Sequence, residues 1–373
     1  MILLYTIEKR VSGRNFMKEK VIVALSGGVD SSVAAALAVQ AGCEVIGVTL
    51  RLKHPDPAFS SAQLCASRND EAAVEQVVRA LGITHRYIEG FGRFRERVLE
   101  PSAREYMAGR TPNPCCDCNL LVKFGILADL AEELGAARVL TGHYAKLSHE
   151  TAGAVLRRGD DPRKDQSYFL YRLTQRELGK LSFPVGAMEK SEVRRIAAGL
   201  GLVTSQKPDS QDACFQVGGE CFGETLRRLC GLAAKPGRFV YRGRTVGRHA
   251  GAHAFTIGQR KGLNVALGVP AYVVSIDPES GDVRLETDPE ALLSRSFTVC
   301  RAAWQLGVPP GGDEMEVQIR YRSRAVPCRI EPGADGGLRV VPADPLRAVT
   351  PGQAAVFYRG DVLLGGGVID HAD

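Results

Sequence analysis

The chain has 373 residues, 45% of them hydrophobic and 24% charged, with a formal net charge of +6. That length exceeds one ordinary core and predicts two or three domains, and the composition is that of a soluble globular protein. No apolar run reaches the ~20 residues of a bilayer span, and the brief apolar start, Met1 to Tyr5, has Glu8, Lys9 and Arg10 on the wrong side for a secretion signal, so a cytoplasmic protein without membrane association is expected.

Residues 1–16 read as an N-terminal extension, because Met17 precedes the first clear strand. Val21–Leu25 is a short, continuous apolar run, as a buried parallel strand requires. A Gly-rich turn follows, then an Ala-rich helix over Ser31–Gln40 stopped by Gly42, then a second apolar strand, Glu44–Leu50. The alternation continues with a helix over 70–81, a strand near 85–88, a helix over 120–134 and a strand at 138–141. This is the pattern of an α/β fold, a doubly wound parallel sheet with helices on both faces, and ligands of such folds bind beyond the carboxyl ends of the strands. The domain is expected to occupy residues 17–215. A small central domain is expected over 216–280, and strand-like runs such as Tyr272–Ile276, Met315–Tyr321 and Ala354–Tyr358 predict a C-terminal β-barrel, placed at 281–373. From Pro236 to Gly268 the basic residues Arg238, Arg242, Arg244, Arg248, Arg260 and Lys261 meet no Asp or Glu. Such a surface attracts phosphate, although a merely solvated basic face has the same composition.

Ser26-Gly27-Gly28-Val29-Asp30-Ser31-Ser32 lies between the first strand and its helix. Paired glycines let backbone amides approach an anion, and the helix N-terminus adds unpaired N–H groups and a positive dipole end. Asp30 can hold Mg²⁺ through water or directly. The string lacks the Gly-Lys-Ser/Thr ending of the usual γ-phosphate loop, and as a bare turn its Ser and Asp would only cap the helix. It resembles the loop of N-type ATP pyrophosphatases, which split ATP between the α and β phosphates to make adenylated intermediates.

Ten cysteines without a secretion signal argue against a disulfide framework. Cys43, Cys221, Cys230, Cys300 and Cys328 stand singly and are expected in or near cores, while Cys65 falls in a polar stretch with no structural assignment. Cys115, Cys116 and Cys118 follow Thr111-Pro112-Asn113-Pro114, read as a rigid, non-helical lead-in to the helix at Leu120. A thiol just before a helix start is shifted toward thiolate. Cys214 ends a second polar segment, Lys207-Pro208-Asp209-Ser210-Gln211-Asp212-Ala213. Two loop cysteines near an ATP site suit sulfur relay, one carrying a persulfide and the other attacking its inner sulfur.

Both segments closely resemble the bacterial and mitochondrial tRNA-specific 2-thiouridylases. So do Thr141–Ala145, Lys164–Leu170, Thr256–Leu263, Arg320–Arg322 and Thr350–Tyr358, in family order. The resemblance implies ATP-dependent adenylation of C2 of the wobble uridine, followed by sulfur transfer. It implies an ATP site lined by Ala24, Leu25, Ser26, Gly27, Gly28, Val29, Asp30, Ser31, Leu50 and Gly142, and a target-base site of Asn113, Pro114 and Cys115. Cys118 would be the nucleophile, Cys214 the persulfide carrier, and Asp30 a further catalytic residue with Mg²⁺. His143, Lys164, Asp165, Gln166, Arg320, Tyr321 and Gln353 would contact tRNA, the family's substrates being the tRNAs for Lys, Glu and Gln. The sulfur would come from a cysteine desulfurase, a relay protein or sulfide. Family members usually carry Asp where this chain has Cys115, so Cys115, Cys118 and Cys214 together also suit a [4Fe–4S] cluster with one open iron, or, with a fourth ligand, zinc. A small-molecule synthetase of the same superfamily and a non-catalytic tRNA-binding protein are the competing functions; the former needs no loop cysteines, and the intact nucleotide loop argues against the latter.

Overall fold

The computed structural model describes residues 19–52, 68–209, 214–216, 220–307, 309, 315–333 and 336–373. The expected N-terminal extension, Cys65 and Ser210–Ala213 lie outside these residues.

The first domain is built on a five-stranded parallel sheet of order β3-β2-β1-β4-β7. Its strands are β1 (Lys20–Ala24), β2 (Glu44–Arg51), β3 (Thr84–Glu89), β4 (Arg138–Leu140) and β7 (Leu181–Ser182). Val21, Ile22 and Val23 are wholly buried, so β1 is covered on both faces, as its unbroken apolar run requires. The chain order reverses between β1 and β4, which opens a crevice beyond their carboxyl ends. The helix Val29–Gln40 is apolar nearly all round and is buried accordingly.

Two long helices depart from the sequence reading. Residues 114–133 form one unbroken helix, regular over Pro114–Asp117, π-helical over Cys118–Phe124 and regular again over Gly125–Glu133. The non-helical lead-in therefore ends at Asn113, not near Leu120. Pro114 takes the first helical position, where its missing N–H costs nothing and its fixed φ favours the helix. A second helix, absent from the sequence reading, runs over 91–107 and is π-helical over Arg95–Leu99. The two π segments meet in one apolar cluster that contains Val98, Leu99, Cys118 and Val122.

A hairpin, β5 (Ala145–Glu150) and β6 (Gly153–Arg158), leaves the first domain to join the C-terminal sheet. The helix Lys190–Gly199 closes the other side of the nucleotide loop, and the helix Phe222–Leu229 leads to the central unit. That unit is a four-stranded sheet of order β10-β11-β8-β9, from β8 (Gly237–Tyr241), β9 (Arg244–His249), β10 (Tyr272–Ile276) and β11 (Val283–Glu286). A two-residue ladder of β12 (Leu293–Ser294) with β17 (Leu346–Arg347) follows. β13 (Phe297–Trp304), β16 (Leu338–Pro342), β15 (Val326–Pro332), β14 (Met315–Gln318), β18 (Ala354–Arg359) and β19 (Val362–Ala372) pair in that order, and β19 returns to β13 to close a six-stranded barrel. The strand expected over Met315–Tyr321 stops at Gln318, so Arg320 and Tyr321 lie in the turn beyond it. Barrel and first domain share a core in which Val356, Tyr358 and Leu363 pack with Leu156, Tyr168 and Tyr171.

Candidate active site

The nucleotide loop is bound together by its own hydroxyls. Ser31 Oγ donates to Gly28 O at 3.0 Å and accepts from Ser26 N at 3.2 Å, and Ser32 Oγ donates to Gly28 O at 2.9 Å. Gly27 takes φ +75°, and a Cβ there would lie 2.7 Å from Asp70 O. Gly142, at the end of β4, presses on the loop from across the crevice: a Cβ would lie 2.6 Å from both the Asp30 carbonyl carbon and Ser31 N. Both glycines are there because the backbones approach too closely for a side chain. Ala24 and Leu25 close β1, where Leu25 N donates to Val48 O at 2.8 Å, and Leu50 packs between the two clusters flanking the sheet end.

Asp30, in the first turn of its helix, is gripped rather than open. Lys190 Nζ donates to both its oxygens at 2.7 Å, and Tyr144 donates its hydroxyl to Oδ1 at 2.7 Å. A metal ion bound directly to Asp30 would have to displace that ammonium, so the residues as they stand fit direct Mg²⁺ coordination poorly. Lys190 also meets Asp209 at 3.0 Å, and Asp209 accepts from Lys164 at 2.7 Å and Arg194 at 2.8 Å. Burial alone would raise the Asp209 carboxyl, but Lys164 and Lys190 outweigh it and hold the pKa at about 2. Lys207 donates to Gly27 O at 2.8 Å and pairs with Asp70.

The sulfur side is apolar. Cys118 is 5% exposed and packs with Leu52, Phe94, Leu99, Val122 and Phe215, and Cys214 packs against the same cluster. Phe215 anchors Cys214 by its ring contacts with Phe94 and Phe222, centroids 5.7 and 5.1 Å apart. Cys116 belongs to a different core, where burial and then neighbouring Cys115 push its thiol well up. Cys115 is half-buried and is not among the members of the Cys118 cluster. Among the described residues no group of three or more His, Cys, Asp or Glu could hold a metal ion. The three-thiol set of Cys115, Cys118 and Cys214, raised for iron–sulfur or zinc, is not among such groups, and Cys115 is not a member of the apolar cluster that takes in Cys118 and Cys214. Of the single cysteines, Cys328 is buried and Cys43, Cys230 and Cys300 are intermediate, but Cys221 is exposed, because it precedes the helix Phe222–Leu229 at the surface.

One short loop joins the two sides. Gly142 lies on Asp30 and Ser31, and the next residue, His143, lies against Phe124 of the cysteine helix and against Phe183, ring centroids 5.7 and 6.0 Å away. His143 Nδ1 is hydrogen-bonded to Thr141 Oγ1 at 2.8 Å. Burial between the rings, with the Lys123 charge adding, pushes its pKa down to about 3, so the imidazole is neutral at ordinary pH.

The loop before the cysteine helix is held by all three units. Thr111 N donates to Pro351 O at 2.8 Å, and Thr111 Oγ1 donates to Thr256 Oγ1 of the central unit at 3.3 Å. Gln353 Nε2 donates to Thr111 O at 2.7 Å. Asn113 hydrogen-bonds the Tyr168 hydroxyl, which donates to Ala354 O at 2.9 Å. Arg320 is pinned by Ala348 O and by Thr350 Oγ1, the latter at 3.0 Å, and the Tyr321 ring sits 4.4 Å from Phe169. Asp165 is buried: it accepts from Arg158, Gly159 N and Ser167 N, each at 3.0 Å. Gln166 accepts from Tyr144 N at 3.0 Å. Arg238, Arg242, Arg244, Arg248, Arg260 and Lys261 are all exposed, Arg238 pairing with Asp282.

Sequence reasoning missed Lys190, Arg194, Tyr144 and the ion pairs of Lys207 and Asp209. The last two stood in a segment already singled out for Cys214, but Lys190 opens an ordinary amphipathic helix and carried no local signal.

Comparison with known proteins adds a family. Residues 19–218 match the model of the tRNA methyl transferase HUP domain, residues 230–285 that of the tRNA methyl transferase PRC-barrel domain, and residues 294–369 that of the aminomethyltransferase β-barrel domain. The chain is 42% identical over 95% of its length to the tRNA-specific 2-thiouridylase MnmA of Heliobacterium modesticaldum, covering 93% of that protein. The proteins of the same name from a Synechococcus strain and from Sorangium cellulosum are 42% and 44% identical over 95% of this chain, with 98% and 92% of their lengths covered. The domain models are described by methyl transfer, whereas these relatives, matched nearly end to end, are named for thiolation.

Proposed function

Because the chain belongs to the family of tRNA-specific 2-thiouridylases, we propose that it uses ATP to replace the C2 oxygen of a tRNA wobble uridine with sulfur, giving 2-thiouridine, AMP and pyrophosphate. The uracil C2 carbonyl is a poor electrophile, and oxide is no leaving group at neutral pH. Attack of that oxygen on the α-phosphorus breaks the α–β P–O bond, expels pyrophosphate and leaves AMP on C2. Sulfur then adds at C2, and the C–O bond breaks with AMP as leaving group. The amides of Gly27–Asp30 and the helix N-terminus stabilise the charge that collects on pyrophosphate. Asn113 and Pro114 hold the flipped base at the head of the cysteine helix, and the exposed arginines of the central sheet draw in the tRNA backbone.

The observation that carries this reading is the Gly142–His143 loop, which touches the nucleotide loop with one residue and the cysteine helix with the next. Adenylation and sulfur addition must act on the same carbon, and this loop keeps their machinery within one site.

The shared apolar pocket of Cys118 and Cys214 supports the persulfide relay. Cys214 carries the terminal sulfur as a persulfide from a donor protein. The Cys118 thiolate attacks the inner sulfur, hydrosulfide leaves for C2, and a Cys118–Cys214 disulfide remains for an external thiol to reduce. A [4Fe–4S] cluster held by Cys115, Cys118 and Cys214 would instead supply an open iron for hydrosulfide. The test is tRNA-dependent ATP–pyrophosphate exchange and thiolation on anaerobically purified protein, with its iron measured. Exchange plus thiolation from a persulfide donor in iron-free protein is the expected result. Activity only with about four irons per chain, lost in Cys115→Ala, would replace the relay with a cluster. Absence of exchange would remove the adenylation step.

A further inference from the structure

Lys190 has all three donor directions in use: 2.7 Å to each oxygen of Asp30 and 3.0 Å to Asp209 Oδ1, with 12% of its side chain exposed. Its own backbone N–H donates to Asp161 Oδ2 at 3.1 Å, and its ammonium lies 5.6 Å from the Tyr144 ring centroid. This positioning is expensive in side-chain entropy for a residue with no packing duty, since Lys gives up more rotamer freedom on ordering than most residues. What it guards is the carboxylate in the first turn of the very helix whose amides face the nucleotide loop.

An anion brought to that helix end would meet the Asp30 carboxylate beside it, and like charges at such range repel strongly in a half-buried site. Only a cation interposed between them lets both stay. Lys207 stands on the other flank, on Gly27 O and Asp70. Lys190 and Lys207 thus flank the glycine loop, Lys190 on Asp30 in the first helical turn and Lys207 on Gly27.

Resting on the ATP reading above, we propose that Lys190 is the phosphate-facing cation of the nucleotide site: it neutralises Asp30 in the resting protein and contacts the β and γ phosphates of bound ATP, holding pyrophosphate as it departs. Lys190 stays protonated throughout. The electron pair of the broken α–β bond goes to pyrophosphate, and Lys190 stabilises that charge without giving up a proton. The adenosine and α-phosphate, which remain with the base, are not its ligands.

The experiment titrates the full-length chain with ATP, AMP and inorganic pyrophosphate, comparing wild type with Lys190→Met and Lys190→Arg. Expected for Lys190→Met is a loss of at least about tenfold in affinity for ATP and pyrophosphate, with AMP affinity held within about twofold, and partial recovery in Lys190→Arg. Unchanged pyrophosphate and ATP affinity in folded Lys190→Met would overturn the proposal and leave Lys190 as the counter-ion of Asp30 alone. Should that variant fail to fold, Asp30→Asn/Lys190→Met removes both buried charges together; weak pyrophosphate binding there supports the proposal and wild-type binding overturns it. Wild-type protein that binds AMP but neither pyrophosphate nor ATP would sink this proposal while leaving an adenylate site, whereas wild-type protein that binds no nucleotide would remove the ATP reading itself.

Discussion

The nucleotide loop and the cysteine pocket lie at the same end of the sheet and are built by opposite means. Around Asp30 every charge is answered: Lys190, Asp209, Lys164 and Arg194 form a chain of ion pairs, and Tyr144 adds a neutral donor. Around Cys118 the apolar cluster is made by Leu52, Phe94, Leu99, Val122 and Phe215. The difference follows the two reactions proposed. Phosphoryl chemistry moves charge, and a dense set of fixed charges accommodates it without reorganising. Sulfur delivery must keep a persulfide from water and from stray thiols, and an apolar pocket does that.

The largest effect expected follows from that division. Cys118→Ser and Cys214→Ser should each lower thiolation by at least about 1000-fold while tRNA-dependent ATP–pyrophosphate exchange persists. Parallel loss of both activities would show that the two regions are not separable. Gly142→Val attacks the contact that joins them. Its side chain would press on the Asp30–Ser31 backbone, and we expect about 3 kcal/mol of destabilisation with nucleotide binding lost, read by denaturant titration and by ATP titration. A normally stable variant that still binds ATP would mean the loop has room to move.

Asp165→Ala distinguishes framework from substrate contact. Removing the carboxylate strands two backbone amides and takes from Arg158 its anionic partner, leaving it Gln318, and a loss of about 3 kcal/mol with tRNA affinity retained per folded molecule is expected. Weakened tRNA binding at unchanged stability would restore the contact role. Gln353→Ala should act through the loop it holds: about a tenfold drop in kcat with tRNA Kd unchanged, because its amide is spent on Thr111 O. A change in Kd alone would make Gln353 a direct contact.

The smallest effect concerns pH. The His143 pKa falls from an ordinary 6.5 to about 3 on folding. Between those values the unfolded chain binds more protons than the native one, so this residue's contribution is present above pH 6.5 and is lost as pH falls toward 3, at a slope of at most about 1.4 kcal/mol per pH unit. His143→Phe should flatten that acid limb in a series of thermal melts. An unchanged limb would mean that His143 is solvated between Phe124 and Phe183.

How much was legible beforehand depended on the range of the forces involved. The β1 strand, its glycine turn and the following helix were readable because apolar continuity, paired glycines and a helix start are local properties. The helix of residues 91–107 escaped notice: its charges Arg93, Arg95, Glu96, Arg97 and Glu100 hide the apolar face that Phe94, Val98, Leu99 and Ala103 present to the cysteine pocket. Pro112 and Pro114 suggested a longer non-helical segment than exists, since proline at a first helical position and proline in a loop look alike in sequence. The barrel strands were legible in part, but β19 contains Gly365, Gly366 and Gly367, which weaken any strand pattern and are fixed only by what they pack against. A Cβ on Gly366 would come within 2.6 Å of the Tyr171 ring, which the first domain supplies.

By itself the sequence determined the parallel sheet, the glycine loop beyond its first strand and the two cysteine segments, because each is written in contiguous residues whose backbone preferences and chemistry act over a few positions. Only the tertiary structure decided which charges answer Asp30, that Cys118 and Cys214 share a pocket without Cys115, and that Gln353 serves the loop at Thr111. Lys190 stands 160 residues from Asp30 and Gln353 stands 242 from Thr111. Pairings at such separations are set by how the domains close on one another, and no local pattern encodes them.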